Sequence, residues 1–326
     1  MRTNPRRSLK AVQYLLLIWF VVLVNFLLPR ILPGSPLMYL AGEDVGQLSP
    51  VERKELLSRY NLDQTLPVQF AEYLADLVTL QWGRSYSQNA PIITLIRNRL
   101  PWTIVLALMS IAFSAAIGAF LGIRAAINRG KWPDIYLLLT VSFLGSLPAF
   151  WLGMLLIAVF GVRLNWLPLF GAYTAGSGFT GLQKMLDIAM HMVLPLLTLT
   201  ILSVGRYFMT MRYSLIEVLG EDYIILAKAK GLPDRIIRYK YIMRNALLPF
   251  FTVLMMDLGF VLSGATVVET VFAYPGLGRL MFEAVAARDY LLLQYSFFVS
   301  ALLVILFNYL ADRLYLYLDP RLGEET

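Results

Sequence analysis

Six apolar runs, each close to the length that crosses a bilayer as a helix, constrain this chain more than any other feature. They fall at about 11–28, 101–123, 135–162, 188–205, 246–268 and 290–311. About 20 apolar residues at helical rise match a hydrocarbon core. Inside lipid the backbone must satisfy its own polar groups, so runs of this length are helices. The expected fold class is an all-α polytopic membrane protein of about six transmembrane helices. Composition agrees, with 58% hydrophobic and 15% charged residues and a mean hydropathy of +0.65. Ordinary soluble chains carry about 25% charged residues. The first run follows Arg2, Arg6, Arg7 and Lys10. A signal peptide competes for that pattern. The run is long for such a segment and no small-x-small site follows it, so an uncleaved helix is expected.

Punctuation within the runs refines this expectation. Pro101 suits the first helical position of the second span, where its missing N–H would be unpaired anyway. Gly118-Ala-Phe-Leu-Gly122 permits close helix contact, although small residues are common in membrane helices. Pro148 is a predicted kink in the third span, and Pro195 lies inside the fourth. Met255, Met256 and the aromatics of the fifth span read as packing rather than as a substrate box.

Orientation follows from basic residues, which gather in cytoplasmic loops. With both termini inside, 17 of the 28 Lys and Arg residues face the cytoplasm. This divides the chain into residues 1–28 (cytoplasmic start and first span), 29–100 (an external cap) and 101–312 (the membrane core). The core includes a basic cytoplasmic loop at 211–248, and residues 313–326 form a cytoplasmic tail. Ser49-Pro-Val-Glu52 reads as a helix start within the cap.

The same composition excludes several chemistries. Without cysteine there is neither a disulfide nor a thiolate metal site. One histidine, His191, makes a His-ligated zinc site a poor reading. The net charge of +7 reflects the cytoplasmic clustering of Lys and Arg, not nucleic-acid binding. No Gly-x-x-x-x-Gly-Lys-Ser/Thr phosphate loop occurs, so the chain should not bind ATP itself. Charges within spans default to function because burying them in lipid is costly. Asp257 in the fifth span has two readings: a pore-lining residue facing a polar or cationic substrate, or a buried partner of an Arg or hydroxyl. Arg206 is expected to snorkel to the inner interface, and His191 to be an interfacial histidine.

The inside loop has legible local physics. Glu221 and Asp222 open a helix, and Lys228 and Lys230 close it, matching the helix dipole. Gly231 suits the left-handed position that ends a helix, and Pro233 and Asp234 start another. The expected product is helix, sharp turn, helix. Such an element either rests on anionic lipid or docks a protein.

The segment from Asp222 through Ala227, Lys228, Ala229, Lys230, Gly231, Leu232, Pro233, Asp234 and Arg235 resembles the coupling loop of binding-protein-dependent ABC permeases. Their pattern is Glu-Ala-Ala, three residues, Gly, with Leu-Pro further on. Ala227 and Gly231 match, while Ile225 and Leu226 depart from it. The Ala-Lys-Ala-Lys-Gly-Leu-Pro form and the gap from Gly231 to Pro249 resemble the oligopeptide/dipeptide branch, which also takes nickel complexes and some oligosaccharides. Leu32-Pro-Gly-Ser-Pro36 resembles that branch, with Ser35 in place of its Asp. So do Asn61-Leu-Asp-Gln-Thr-Leu-Pro-Val-Gln69, Trp82-Gly-Arg-Ser85 and Arg99-Leu-Pro-Trp-Thr103. The segment from Gly264 to Gly278, Ala287-Arg-Asp-Tyr290 and Leu318-Asp-Pro-Arg321 extend the likeness over nearly the whole chain.

The resemblance implies a transporter subunit, not an enzyme, forming half of a pathway in a prokaryotic inner membrane. It implies a homologous second permease, two ATP-binding subunits that hold ATP and Mg, and an extracytoplasmic substrate-binding protein. The loop around Gly231 would sit in a groove on one ATPase. Glu269, at the outer end of the fifth span, would be available to the docked binding protein. Three other classes fit the residues less well. An ion-driven secondary transporter needs a relay for which Asp257 alone is a poor candidate. An intramembrane enzyme needs a nucleophile–base set. A passive channel leaves the elbow without a purpose.

Overall fold

A computed structural model describes residues 5–31, 49–51, 54, 63–259 and 265–318, and every regular element among them is helical. They form two compact units, one containing residues 1–103 and 275–306 and the other 104–274 and 307–326. The N-terminal stretch of the first unit runs to residue 103, inside a helix, and residues 275–306 group with it. The Leu32–Pro36 and Asp319–Arg321 motif residues lie outside the described residues, as do Glu52 of the Ser49–Glu52 helix start and positions 260–264.

The first unit is built on α1 (Pro5–Ile31), α2 (Leu66–Thr79), the start of α3 (Ile92–Ile127), α11 (Leu277–Ala286) and most of α12 (Tyr290–Leu318). Its core joins Val22 and Phe26 to Tyr73, Trp82, Ile92, Leu280 and Tyr295. The Trp82 and Tyr295 rings stack at 5.1 Å. Residues 66–100 thus contribute apolar side chains to the core of this unit. Asn25, buried in α1, donates to the Tyr73 hydroxyl at 2.9 Å and to the Gln294 carbonyl at 3.1 Å. A short hairpin closes where Ser85 N–H donates to Ala90 C=O at 2.9 Å. Buried Asp289 pins it, accepting from Ser85 Oγ at 2.6 Å, Ser87 Oγ at 2.9 Å and Ser87 N–H at 3.0 Å. The other Asp289 oxygen accepts from Leu292 N–H at 3.1 Å, capping α12.

The second unit holds the rest of α3, α4 (Trp132–Gly145), α5 (Ala149–Leu156) and α6 (Gly181–Leu219). It also holds α7 (Asp222–Ala229), α8 (Asp234–Ile236), α9 (Arg244–Gly259) and α10 (Ala265–Val271). Helix α6 runs 39 residues, about 58 Å at 1.5 Å per residue. Gly118 and Gly122 of α3 face it directly. A Cβ on Gly118 would stand 2.5 Å from Tyr207 Cβ, and one on Gly122 would stand 2.8 Å from the Phe208 carbonyl oxygen. The Gly-x-x-x-Gly spacing is therefore the contact itself.

Four helical stretches are long and apolar enough to cross a membrane: Ile92–Ile127, Gly181–Leu219, Asp234–Gly259 and Tyr290–Leu314. Trp132–Gly145 and Ala149–Arg163 make a fifth if the pair, bent by 100°, counts as one. Pro148 is thus a break rather than a kink: it caps α5 with ψ 137°, which ends the preceding helix. The apolar part of α1, Val12–Leu27, is shorter than these. Pro101 lies inside α3, not at its start, because Ile92 opens the helix nine residues earlier, just after Pro91. Of the fifth expected span the structure describes α9 as far as Gly259 and α10 from Ala265, and positions 260–264 lie outside the described residues.

Candidate functional site

The loop at 211–248 folds as the composition of its turn requires. Helix α7 ends with Gly231 in the left-handed region at φ +71°. Leu232 N–H donates to the Ala227 carbonyl at 3.3 Å and Gly231 N–H to the Lys228 carbonyl at 2.9 Å. These are the two reverse bonds of a Schellman cap. Pro233 then caps α8, which runs through a π-helical stretch (Ile237–Met243) into α9. Ile224, Ala227 and Ile237 bury one another inside the elbow. Asn245 Nδ2 donates to the Tyr223 hydroxyl at 3.0 Å, tying the elbow to α9.

The opposite side of the elbow is open. Ile225 is 62% exposed, Leu226 55% and Tyr239 67%, among exposed Lys228, Lys230, Arg235 and Arg238. Asp222, Ala229, Gly231, Pro233 and Asp234 are exposed too, and Leu232 is half-buried. Ala227 is buried, so its role in this structure is to hold the elbow's shape. The arrangement is a rigid, basic, partly apolar knob with no titratable pair poised for catalysis.

Two ion pairs cross the second unit. Arg212 of α6 makes a two-pronged contact with Asp134 of α4, Nε to Oδ1 at 2.6 Å and Nη2 to Oδ2 at 2.7 Å. Gly130 N–H also donates to Asp134 at 2.9 Å. Asp134 is buried and Arg212 is mostly enclosed. Higher in the same helix, Arg206 Nη1 donates to Asp257 Oδ1 of α9. Asp257 is buried and the Arg206 side chain is 59% exposed. Of its two sequence readings, the buried partner of an Arg is the one the structure contains. Arg206 accordingly reaches Asp257. Tyr207, the next residue of α6, is fully buried, and its hydroxyl has no hydrogen-bond partner among the described residues.

Two expectations need correction. Glu269 is fully buried in α10, so its side chain offers no surface to a docked protein. The nearby Tyr274 phenol is pushed above its ordinary value, first by burial and then by the Glu269 charge. His191 is buried as well; its Nδ1 donates to the Asp187 carbonyl at 2.8 Å. Met256 is 58% exposed while its neighbour Met255 is buried, so only one of them packs in the core. Among the described residues no three His, Cys, Asp or Glu gather as metal ligands.

Sequence reasoning missed the Asp134–Arg212 pair and the Asp289 clamp. Each acid stands in the sequence beside a helix start, which is a signal for a cap. The partners lie 78 and about 200 positions away, beyond any local pattern.

Residues 118–324 match the family of binding-protein-dependent transport system inner membrane components. The chain belongs to this family. The permease is 34% identical over 317 residues to the dipeptide transport system permease protein DppB of Alkalihalophilus pseudofirmus, covering 93% of this chain and 94% of that one. It is 33% identical over 320 residues to the di/tripeptide transport system permease protein DppB of Pseudomonas aeruginosa, covering 94% of each. It is 36% identical over 305 residues to the glutathione transport system permease protein GsiC of Escherichia coli, covering 93% and 94%. Among solved structures, inward-facing MetNI methionine ABC transporter is similar at a TM-score of 0.56 and 16% identity, covering 70% of this chain and 98% of that one. That likeness concerns the fold alone. The permease is an inner-membrane, multi-pass component of an ABC importer, not an enzyme, and the ATPase is a separate component.

Proposed function

We propose that this permease carries short peptides, forming half of a translocation pathway that alternates between inward-facing and outward-facing states. The observation that carries this reading is the agreement of relatives at 33–36% identity, aligned over nearly their whole length, all named for di- or tripeptide cargo. Nickel chelates and oligosaccharides are the competing cargoes of the same branch. The other half of the pathway is a homologous second permease, with two ATP-binding subunits inside and a substrate-binding protein outside.

The chain crosses the membrane six times, with α1 and the bent α4–α5 pair among the spans and both termini cytoplasmic. Residues 29–100 lie outside, and 101–312 form the membrane core. The clustering of Lys and Arg in the segments assigned to the cytoplasm supports this orientation. The elbow from Asp222 to Arg235 docks in a groove on one ATPase. Its exposed Ile225 and Leu226, ringed by lysine and arginine, suit a protein groove of acidic rim and apolar floor. Rigid-body closure of the ATPases moves the elbow and, through it, the membrane helices. The test is uptake into proteoliposomes holding the full importer with its binding protein. ATP-dependent accumulation of a dipeptide is expected. Import of a nickel chelate or an oligosaccharide, with no peptide import, would overturn the peptide reading.

A further inference from the structure

Arg206, one residue past the apolar run at 188–205 and still within α6, has a side chain that remains largely open. It stands six residues along α6 from Arg212, about 9 Å deeper at helical rise. Arg212 is held by Asp134 in the first turn of α4, beside the basic turn of Arg129 and Lys131. Arg206 thus lies beyond that ionic layer, among apolar residues, and yet is 59% exposed. A guanidinium in such a place does not face hydrocarbon; it faces water or a polar partner.

The residues around it point to water. Ser203, Arg206, Thr210, Tyr213 and Glu217 recur at spacings of three and four, which places them on one face of α6. None of the five is buried. They form a polar stripe toward the end of α6 that runs into the elbow, and Arg206 is its only cation. Across from it, α9 presents exposed Met256 next to Asp257. A flexible thioether beside an ion pair suits side chains of varied shape.

The pairing itself leaves capacity. A guanidinium has five N–H donors in a fixed fork. Among the described residues only Nη1 of Arg206 is engaged, on a single Asp257 oxygen. Arg212, by contrast, is gripped through two nitrogens and mostly enclosed. One arginine is locked and the other is half-committed.

We propose that the free edge of Arg206 is the point in the pathway that takes the terminal carboxylate of a peptide in transit, with Asp257 as its resident counter-ion. This rests on the peptide reading above. Asp257 keeps the arginine neutralised and oriented between substrates, and the arriving carboxylate takes the unused donors as a forked pair. Met256 bears on the adjoining side chain without selecting it.

The experiment uses the assembled importer in proteoliposomes, with Ala-Phe or its C-terminal amide supplied as a preformed, saturated complex with the binding protein. This removes the binding protein's own preference from the comparison. Wild type is expected to import the free acid about tenfold faster than the amide. In Arg206→Gln the two rates should converge to a ratio near one. Arg206→Lys, which keeps the charge opposite Asp257, should assemble and retain an intermediate ratio. An unchanged acid-to-amide ratio in both variants overturns the site. So does an equal slowing of both peptides, which is what an acid of the sister permease seated on Arg206 would produce. Wild-type importer that moves neither peptide overturns the peptide reading and this site with it, an outcome separate from normal peptide import with no carboxylate preference.

Discussion

Asp134 and Arg212 show how a single contact can decide whether a span is tolerated. Asp134 is buried, Arg212 is mostly enclosed, and each satisfies the other through two short hydrogen bonds. Removing one partner leaves the other's charge without compensation, which costs about 3–5 kcal/mol for a buried pair. Arg212→Ala is expected to lower the melting temperature and the yield of the detergent-solubilised importer sharply. Arg212→Gln combined with Asp134→Asn, which removes both charges, should recover most of the loss. If single and double variants melt alike, the pair does not carry this stability. The identity of the charged residues was legible in the sequence, and so was the cost of placing Asp257 in a span. The pairings were not, because Asp257 finds Arg206 at a separation of 51 residues and Asp134 finds Arg212 at 78. Glu269 illustrates the converse. A glutamate at a helix end reads as surface, but here packing encloses it completely.

At the scale of helices, hydropathy found the long apolar helices and misjudged their ends. A run of apolar residues marks the part that meets lipid. The helix itself continues as far as its backbone is capped or packed, so α6 extends well beyond 188–205 at both ends. Proline positions were visible, but what each did depended on the neighbours. Pro101 is absorbed within α3, whereas Pro148 ends one helix and starts another. The Gly118–Gly122 spacing is the sequence feature whose structural consequence is most direct. Gly122→Val must push against the Phe208 carbonyl and Met211 Cβ, both on or next to a helix backbone that cannot step aside. Overpacking of this kind costs about 1–3 kcal/mol or more. It is expected to reduce assembled complex and lower its melting temperature. Gly145→Ala, where a Cβ meets nothing within 4 Å, should leave both near wild type. Equal melting of the two variants would show that the α3–α6 approach is not tight.

For the whole molecule the proposed coupling requires a few residues at the elbow to act on helices many ångströms away, and Gly231 isolates that proposal. The turn was readable in the sequence because Lys-Gly-Leu-Pro-Asp combines a helix stop with a helix start. Its mechanical connection was not, since it depends on Asn245 reaching Tyr223 and on Ile237 closing the small core with Ile224. Gly231 sits at φ +71°, and a Cβ there would meet nothing within 4 Å. Gly231→Val therefore causes no clash; its whole effect is backbone strain, on the order of 1–2 kcal/mol in the left-handed region. That strain is small against the burial that holds the membrane helices together, so the subunit should insert and assemble. It is large enough to shift the Schellman cap and re-aim α7 against α8. An elbow that transmits force through a fitted groove tolerates no such change, and the variant is expected to hydrolyse ATP while importing several-fold less peptide per ATP. Gly231→Ala, with a smaller penalty, should fall between. A loop that merely rests on lipid would adapt to a tilted turn, and hydrolysis and uptake would stay in step. Measuring both in the same proteoliposomes separates the two, and wild-type stoichiometry in Gly231→Val with the ATPases still bound would remove the elbow from the coupling path.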